Sequence, residues 1–413
     1  MNASVIHAGP LERLKSLLAE LADLRHTEHL LEWDSRVTMP PAGAEARAEV
    51  SATLTRIVHE RFVADGVGEL LEQLDHVDDE DDAALVRLTR REWERARRVP
   101  SELAAELAHA AGIAVAAWDK AKAASDFVTF APHIERQLEL KHRYIDCFPQ
   151  TETPYDVLLD EYEEDLTTAE VRQLFDRLKP ELISLVEQHR DEVTQLRGPF
   201  PIDRQYEAGR KVLAAFGYDE AQWRLDETAH PFADKVGVGD VRLTTHTDER
   251  DLTSLFSTMH EFGHGVYEFE IAERYARTPL GTGTSAAIHE SQSRLWENLV
   301  GRSRAFWRWF YPQLQPLFPT LASVDEEAFV RAISAIQPGL IRGDADEVTY
   351  GLHIILRFEL EQELLAGSLA VRDLPDVWNT RMKEYLGVDV PDDAHGVLQD
   401  MHWSIGFIGY FPT

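Results

Sequence analysis

The chain has 413 residues, 44% of them hydrophobic, and a formal net charge of −31 from 42 basic and 73 acidic side chains. That length and composition suit a soluble globular protein with a large core, and so acidic a surface repels phosphate backbones and sets nucleic acid aside as a partner. Cys147 is the single cysteine, which excludes a disulfide framework or a Cys-based zinc site, and Met1–Pro10 lacks a basic stretch followed by an apolar run; with no apolar stretch long enough to span a membrane, the expectation is a cytoplasmic protein without a membrane partner.

Helical spacing dominates from the start. Leu11, Leu14, Leu18, Leu21 and Leu24 form one apolar stripe, which predicts an amphipathic helix. Pro40-Pro41-Ala42-Gly43 breaks it, and helix is expected again by about Glu45. The acidic run Asp78–Asp82 suits the N-terminal end of a helix dipole. From Arg87 to Arg98 arginines alternate with Glu92 and Glu94, which reads as a salt-paired solvent face. Gly198-Pro199-Phe200-Pro201 is a breaker, and Trp223-Arg224-Leu225 and Val241–Thr245 are the best strand candidates. They predict a small antiparallel β-sheet just before the next helix, able to hold an extended peptide by strand addition. No internal repeat and no strong boundary interrupts the chain, so residues 1–413 are read as a single, mainly α domain.

The next segment carries chemistry. His260-Glu261-Phe262-Gly263-His264 reads H-E-x-x-H. Residues four apart lie on one side of a helix, so two imidazoles can bind one metal ion while the adjacent glutamate reaches a metal-activated water. Leu255, Met259, Phe262, Val266 and Phe269 supply the apolar stripe of that helix, and Asp248 or Asp251 is placed to cap it. Gly263 costs about 1 kcal/mol of helix propensity, which points to close approach by another backbone or by substrate.

A catalytic zinc takes three protein ligands and keeps one position open. The metzincin pattern fails, because its third His would fall on Glu270 and its Gly on Tyr267. Glu268 follows His264 by one turn, but ligands at i, i+4 and i+8 span about 12 Å and cannot converge on one ion. The third ligand is therefore expected from a second helix, from Ala286 to about Val300, with Ile288, Leu295 and Leu299 as its apolar spacing. Glu290 and, two turns on, Glu297 are both candidates. Position 294, where many gluzincins carry an Asp that orients a His, is Arg294, so the surroundings must differ.

Further motifs accumulate in a fixed order. Trp33-Asp34 through Met39-Pro40 comes first, then Asp240-Val241-Arg242-Leu243-Thr244 (D-x-R-x-T) and His289-Glu290-Ser291-Gln292 (H-E-S-Q). Ile341–Asp346 (I-R-x-x-A-D) and Gly396–Trp403 (G-x-x-Q-D-x-H-W) follow. From about residue 11 to its end the sequence resembles the carboxypeptidase Taq family of metallocarboxypeptidases. The resemblance implies a mainly helical, neurolysin-like gluzincin fold with a deep groove, commonly a homodimer. It implies His260, His264 and Glu290 as metal ligands and Glu261 as general base. It implies Arg342 as the grip on a substrate's terminal carboxylate, with His402 and Tyr410 stabilising the oxyanion. Two departures stand out. Relatives read Y-E-P-G where this chain has Tyr162-Glu163-Glu164-Asp165, so that turn must be built differently. The sequence also stops at Phe411-Pro412-Thr413, where relatives continue with further helices.

The function so implied is a metallocarboxypeptidase removing C-terminal residues from peptides with a free C-terminus. Zinc is the expected metal, with cobalt as an alternative. The rival readings are an endo-oligopeptidase or dipeptidase with the same metal site, and a catalytically idle peptide-binding protein.

Overall fold

The computed structural model describes residues 9–189, 196–228, 231–283 and 285–410. Residues 1–8, on which the reading of the N-terminus rests, and residues 411–413 lie outside the described residues. In chain order the helices are α1 (Pro10–Val37), α2 (Ala44–Phe62), α3 (Asp65–Glu72), α4 (Glu80–Arg98), α5 (Ser101–Ala124), α6 (Phe127–Ile145), α7 (Tyr155–Leu159), α8 (Thr168–Gln188) and α9 (Ile202–Phe216). Three strands follow, β1 (Trp223–Glu227), β2 (Ala233–Gly237) and β3 (Asp240–Thr245). Then come α10 (Thr253–Phe269), α11 (Ala286–Arg294) with a π-helical turn over Leu295–Val300, α12 (Arg304–Leu314), α13 (Glu326–Ile333), α14 (Thr349–Leu365) and α15 (Leu374–Leu386). The chain forms two compact units: Met1–Arg97, Leu196–Thr284 and Ile288–Val330 make one, and Arg98–Gln195, Ser285–Ala287 and Arg331–Thr413 make the other.

In the first unit the leucine stripe behaves as its spacing requires. Leu14, Leu18 and Leu21 of α1 are buried against Val58, Phe62, Val67, Leu71 and Leu85. The acidic run opens α4, where Asp79 Oδ1 accepts the N–H of Asp82 at 3.0 Å. Salt pairs are found in the basic stretch, where Arg90 meets Asp75 at 3.2 Å and Arg97 meets Asp65 at 3.2 Å.

The small sheet is mixed rather than antiparallel. β3 lies between its neighbours, antiparallel to β2 and parallel to β1. Sequence reading saw β1 and β3 but not β2. The missed strand adds a second chain reversal, which leaves β1 and β3 running the same way. Two of the motifs meet here. Arg242 forks onto Asp240 with two bonds of 2.9 Å, and its guanidinium lies 4.4 Å from the ring centre of Trp33. Thr244 Oγ1 accepts from the N–H of Phe232 at 2.7 Å and donates to its carbonyl at 2.8 Å, pinning the chain just before β2.

The sheet and α9 form the bed on which α10 lies. Leu213, Trp223, Leu225, Val241, Leu243 and Phe262 bury one another there. Leu255 and Met259 are buried on the same helix, so the apolar stripe of α10 turns inward and brings the H-E-x-x-H residues to its border. Asp251 accepts the N–H of Thr253 at 2.9 Å at the helix start, while Asp248 is engaged with Arg250.

In the second unit, α14 is buried along most of its length, packing with α6, α8 and α15. The segment Tyr162–Asp165 shows how its turn is made. Asp165 takes a left-handed φ of +63°, and its N–H donates to Asp160 at 3.0 Å. Aspartate tolerates that region better than most residues. Glu163 accepts the Ser285 hydroxyl at 2.9 Å and the N–H of Ala287.

Candidate metal centre

His260 and His264 project from α10 and Glu290 from α11. The three donor atoms form a small triangle: His260 Nε2 to His264 Nε2 is 3.2 Å, His264 Nε2 to Glu290 Oε2 is 3.4 Å, and His260 Nε2 to Glu290 Oε2 is 3.7 Å. Ligands at about 2.0–2.1 Å in a tetrahedron lie about 3.3 Å apart. The spacing and the donor types therefore fit a divalent ion held by three protein atoms with one vertex left over. Among the described residues this is the one group of three His, Cys, Asp or Glu side chains close enough to do so.

Gly263 explains how the second helix comes so near. A Cβ built there would lie 2.4 Å from the carbonyl oxygen of Gln292 and 2.5 Å from Cα of Ser293. Main chain meets main chain, and Ser293 is fully buried. The expected apolar face of α11 is corrected by this contact. Ile288, Leu295 and Leu299 are exposed, because the small-residue face around Ser293 is the one that turns inward. The π-helical turn then shifts the register and brings Trp296 edge-on against Phe262, with ring centres 5.0 Å apart.

Each ligand is held by a further partner. His260 donates from Nδ1 to Glu297 at 2.8 Å. Glu297, the rival third ligand in the sequence, thus buttresses a ligand while Glu290 faces both imidazoles. Arg294 ties the two acids together, donating to Glu290 at 2.9 Å and to Glu297 at 3.0 Å. His264 Nδ1 lies 2.7 Å from His289 Nδ1, and His289 Nε2 lies 3.2 Å from Glu268.

The electrostatics follow from burial and neighbours. Burial opposes ionisation of Glu290, but the His264 hydrogen bond and the charges of His260 and Arg294 outweigh it and bring its pKa down to about 2. Glu261 sits beside the triangle, buried, and its Oε2 accepts no hydrogen bond. Burial, together with the charges of Glu290 and Glu297, pushes its pKa up to about 7. A carboxylate poised near neutrality is suited to take up and release a proton.

The other predicted residues lie in the second unit. Arg342 does not pair with Asp344 or Asp346. Its Nε and Nη2 fork onto Asp400 at 2.9 and 3.1 Å, and its N–H donates to Gln399 at 2.9 Å. Arg357 also donates to Asp400, at 2.5 Å. Two guanidiniums on one carboxylate leave this buried cluster with a net positive charge. Asp346 instead caps α14, accepting from the N–H groups of Val348 and Thr349 at 2.9 and 3.0 Å. His402 and Tyr410 share an aromatic group with Phe407, the His402 and Tyr410 ring centres 5.8 Å apart. Arg357, Asp400 and His289 were not assigned roles from sequence, and Glu297 was weighed there only as a ligand. The Arg342–Asp400 pair could have been found only by bringing the I-R-x-x-A-D and G-x-x-Q-D-x-H-W motifs together in space, and Arg357 lies in neither motif.

Comparison with known proteins decides the family. The family model described as carboxypeptidase Taq (M32) metallopeptidase matches residues 13–413. The chain belongs to that family. Among M32 relatives it is similar to thermostable carboxypeptidase 1 of Thermus thermophilus, 40% identical over 422 residues, covering 97% of this chain and 83% of that one. It is also similar to carboxypeptidase 1 of Bacillus subtilis, 39% identical over 407 residues and covering 96% and 81% of the two chains. The crystal structure of an M32 carboxypeptidase from Deinococcus radiodurans superposes with a TM-score of 0.94 at 40% identity, covering 98% of this chain and 83% of the other. The mainly helical fold with its three-stranded sheet is thus the M32 fold. Among the described residues, no helix is long and apolar enough to cross a membrane.

Proposed function

We propose that this chain removes C-terminal residues from peptides at the centre formed by His260, His264 and Glu290, with Glu261 as general base. The observation that carries the reading is the triangle of donors beside a buried carboxylate of near-neutral pKa. Membership of the carboxypeptidase Taq (M32) metallopeptidase family supports it. A divalent ion bound at these residues supplies Lewis acidity and lowers the pKa of water to about 7; zinc fits the two imidazoles and one carboxylate, with cobalt as a substitute. Glu261 takes the proton of the attacking water and delivers it to the amine that leaves when the C–N bond breaks.

Arg342 is assigned to the substrate's terminal carboxylate, which would take the Nη hydrogens that its fork onto Asp400 and its bond to the Tyr350 hydroxyl leave over. The net positive charge of Arg342, Arg357 and Asp400 favours an added anion. His402 and Tyr410 are assigned to the oxyanion of the tetrahedral intermediate. The family match runs through both units, and we take residues 1–413 to act as one catalytic domain. The resemblance to the family and the acidic, cysteine-poor composition support a cytoplasmic homodimer without nucleic-acid or membrane partners.

The test is hydrolysis of an N-blocked dipeptide compared with its C-terminal amide, each with and without chelator. Cleavage of the free acid alone, abolished by chelator and restored by zinc, is expected. Equal cleavage of the amide would favour an endo-oligopeptidase, and no metal-dependent cleavage would leave a peptide-binding protein.

A further inference from the structure

Glu268 and His289 are a half-buried acid and imidazole that the proposed reaction does not use. Glu268 was excluded as a ligand by the reach of a single helix, and its carboxylate lies against His289 Nε2 at 3.2 Å and the N–H of Gly283 at 2.8 Å. Its second oxygen is buried without a hydrogen-bond partner. An ionised group held in this way is costly and calls for a reason.

With His289 neutral, the contacts set which nitrogen carries each proton. A carboxylate only accepts, so His289 must carry its hydrogen on Nε2. A neutral His289 then presents a lone pair at Nδ1, and the 2.7 Å contact obliges His264 to donate from its own Nδ1. That leaves the lone pair of His264 on Nε2, the atom 3.4 Å from Glu290 and 3.2 Å from His260 Nε2. The alternative tautomer of His264 would set two lone pairs against each other at 2.7 Å. The packing is close: the rings of His264 and His289 meet edge to edge, centres 4.6 Å apart and planes 27° apart. A Cβ at Gly283 would lie 2.9 Å from His289 Cδ2 and 3.0 Å from Glu268 Oε1.

We infer that His289 and Glu268 are positioning residues that lock His264 into the tautomer with Nε2 toward the metal and thereby set the affinity of the centre. The inference rests on the metal-site reading above. It adds a two-residue relay behind His264 to the direct carboxylate contact behind His260.

The test uses full-length protein stripped by chelator and titrated with zinc against a competing chromophoric chelator, with the thermal midpoint of the stripped protein as control. Wild type binds one zinc per chain. His289→Phe keeps the ring volume but removes both nitrogens, and its dissociation constant rises 10- to 100-fold. His289→Asn restores an acceptor near the place of Nδ1 and recovers most of that loss. Glu268→Gln no longer enforces the Nε2 proton, weakens zinc several-fold, and alters the visible spectrum of the cobalt-loaded protein. If His289→Phe does not fold, the other two variants carry the test. Zinc affinities within twofold of wild type, with only the thermal midpoint lowered, mean that the pair merely braces the loop at Gly283 and overturn the inference. Failure of the wild type itself to bind zinc overturns the metal-site reading instead.

Discussion

Glu297 holds His260: its Oε2 lies 2.8 Å from His260 Nδ1, and Arg294 donates to the same oxygen at 3.0 Å. A ligand imidazole hydrogen-bonded to a carboxylate is both oriented and made more basic. Glu297→Gln should keep the shape but remove the charge, raising the metal dissociation constant about 10-fold or more. Competition with a chelator measures it, and an unchanged constant would detach Glu297 from the centre.

Glu261→Gln separates binding from chemistry. The amide cannot take a proton, so kcat should fall by about 10²–10⁴ while metal content stays at the wild-type level. Turnover within tenfold of wild type, measured on a blocked dipeptide, would refute the base assignment.

Gly263→Ala tests the helix contact. On propensity alone the change should stabilise α10 by about 1 kcal/mol. The new methyl group would instead meet the Gln292 carbonyl at 2.4 Å, and overpacking of this kind costs about 1–3 kcal/mol. A lower thermal midpoint together with weaker metal binding is expected. Calorimetry and metal titration of the same preparation check both.

Arg342→Ala and Asp400→Asn should behave differently. Removing Arg342 leaves Asp400 paired with Arg357, so the fold survives. KM then rises or kcat falls mainly for peptides with a free C-terminus, and the preference over amidated peptides shrinks. Removing the Asp400 charge leaves two buried guanidiniums facing one neutral group, at a cost of about 3–5 kcal/mol. Denaturant unfolding of the two variants should separate them clearly.

Glu361 links the second unit to pH. It is buried, and burial lifts its pKa to about 6 although Tyr155, Trp403 and the N–H of Gly409 all donate to it. The folded state therefore holds this proton more tightly than the unfolded chain, whose glutamates titrate near 4.3. The contribution favours folding below that value and is lost as pH rises through about 6, a change of about 2 kcal/mol. Compared with Glu361→Gln, wild-type stability should decline by that amount between pH 4 and pH 7. Parallel stability curves for the two proteins would show that the residue does not titrate in this range.

What the sequence revealed and what it withheld divide along physical lines. The stripe of Leu14, Leu18 and Leu21 and that of Leu255, Met259 and Phe262 were legible because burial imposes a local period. The His260–His264 pair was legible for the same reason, and Gly263 was correctly read as a place of close approach. The partners that depend on tertiary geometry were not. Nothing in the spacing says that Glu297 turns toward His260, because the π-helical turn that aims it has no sequence period. Ile288, Leu295 and Leu299 have the spacing of a core face yet lie exposed. β2, Ala233–Gly237, contains Asp234, Lys235 and Gly237 and shows no alternation, so β1 and β3 were read as parts of an antiparallel sheet. Asp400 stands far along the chain from Arg342, and only folding brings them together.

The contact of Gly263 with the Gln292 carbonyl has one more consequence. Because bare peptide units set how near the two helices can come, the distance between the backbones that carry the imidazoles and Glu290 depends on no side chain packed between them. Calcium, which takes about six to eight oxygen ligands, is poorly served by two imidazoles and one carboxylate, whereas first-row dications that accept nitrogen donors suit them and would seat without moving either helix.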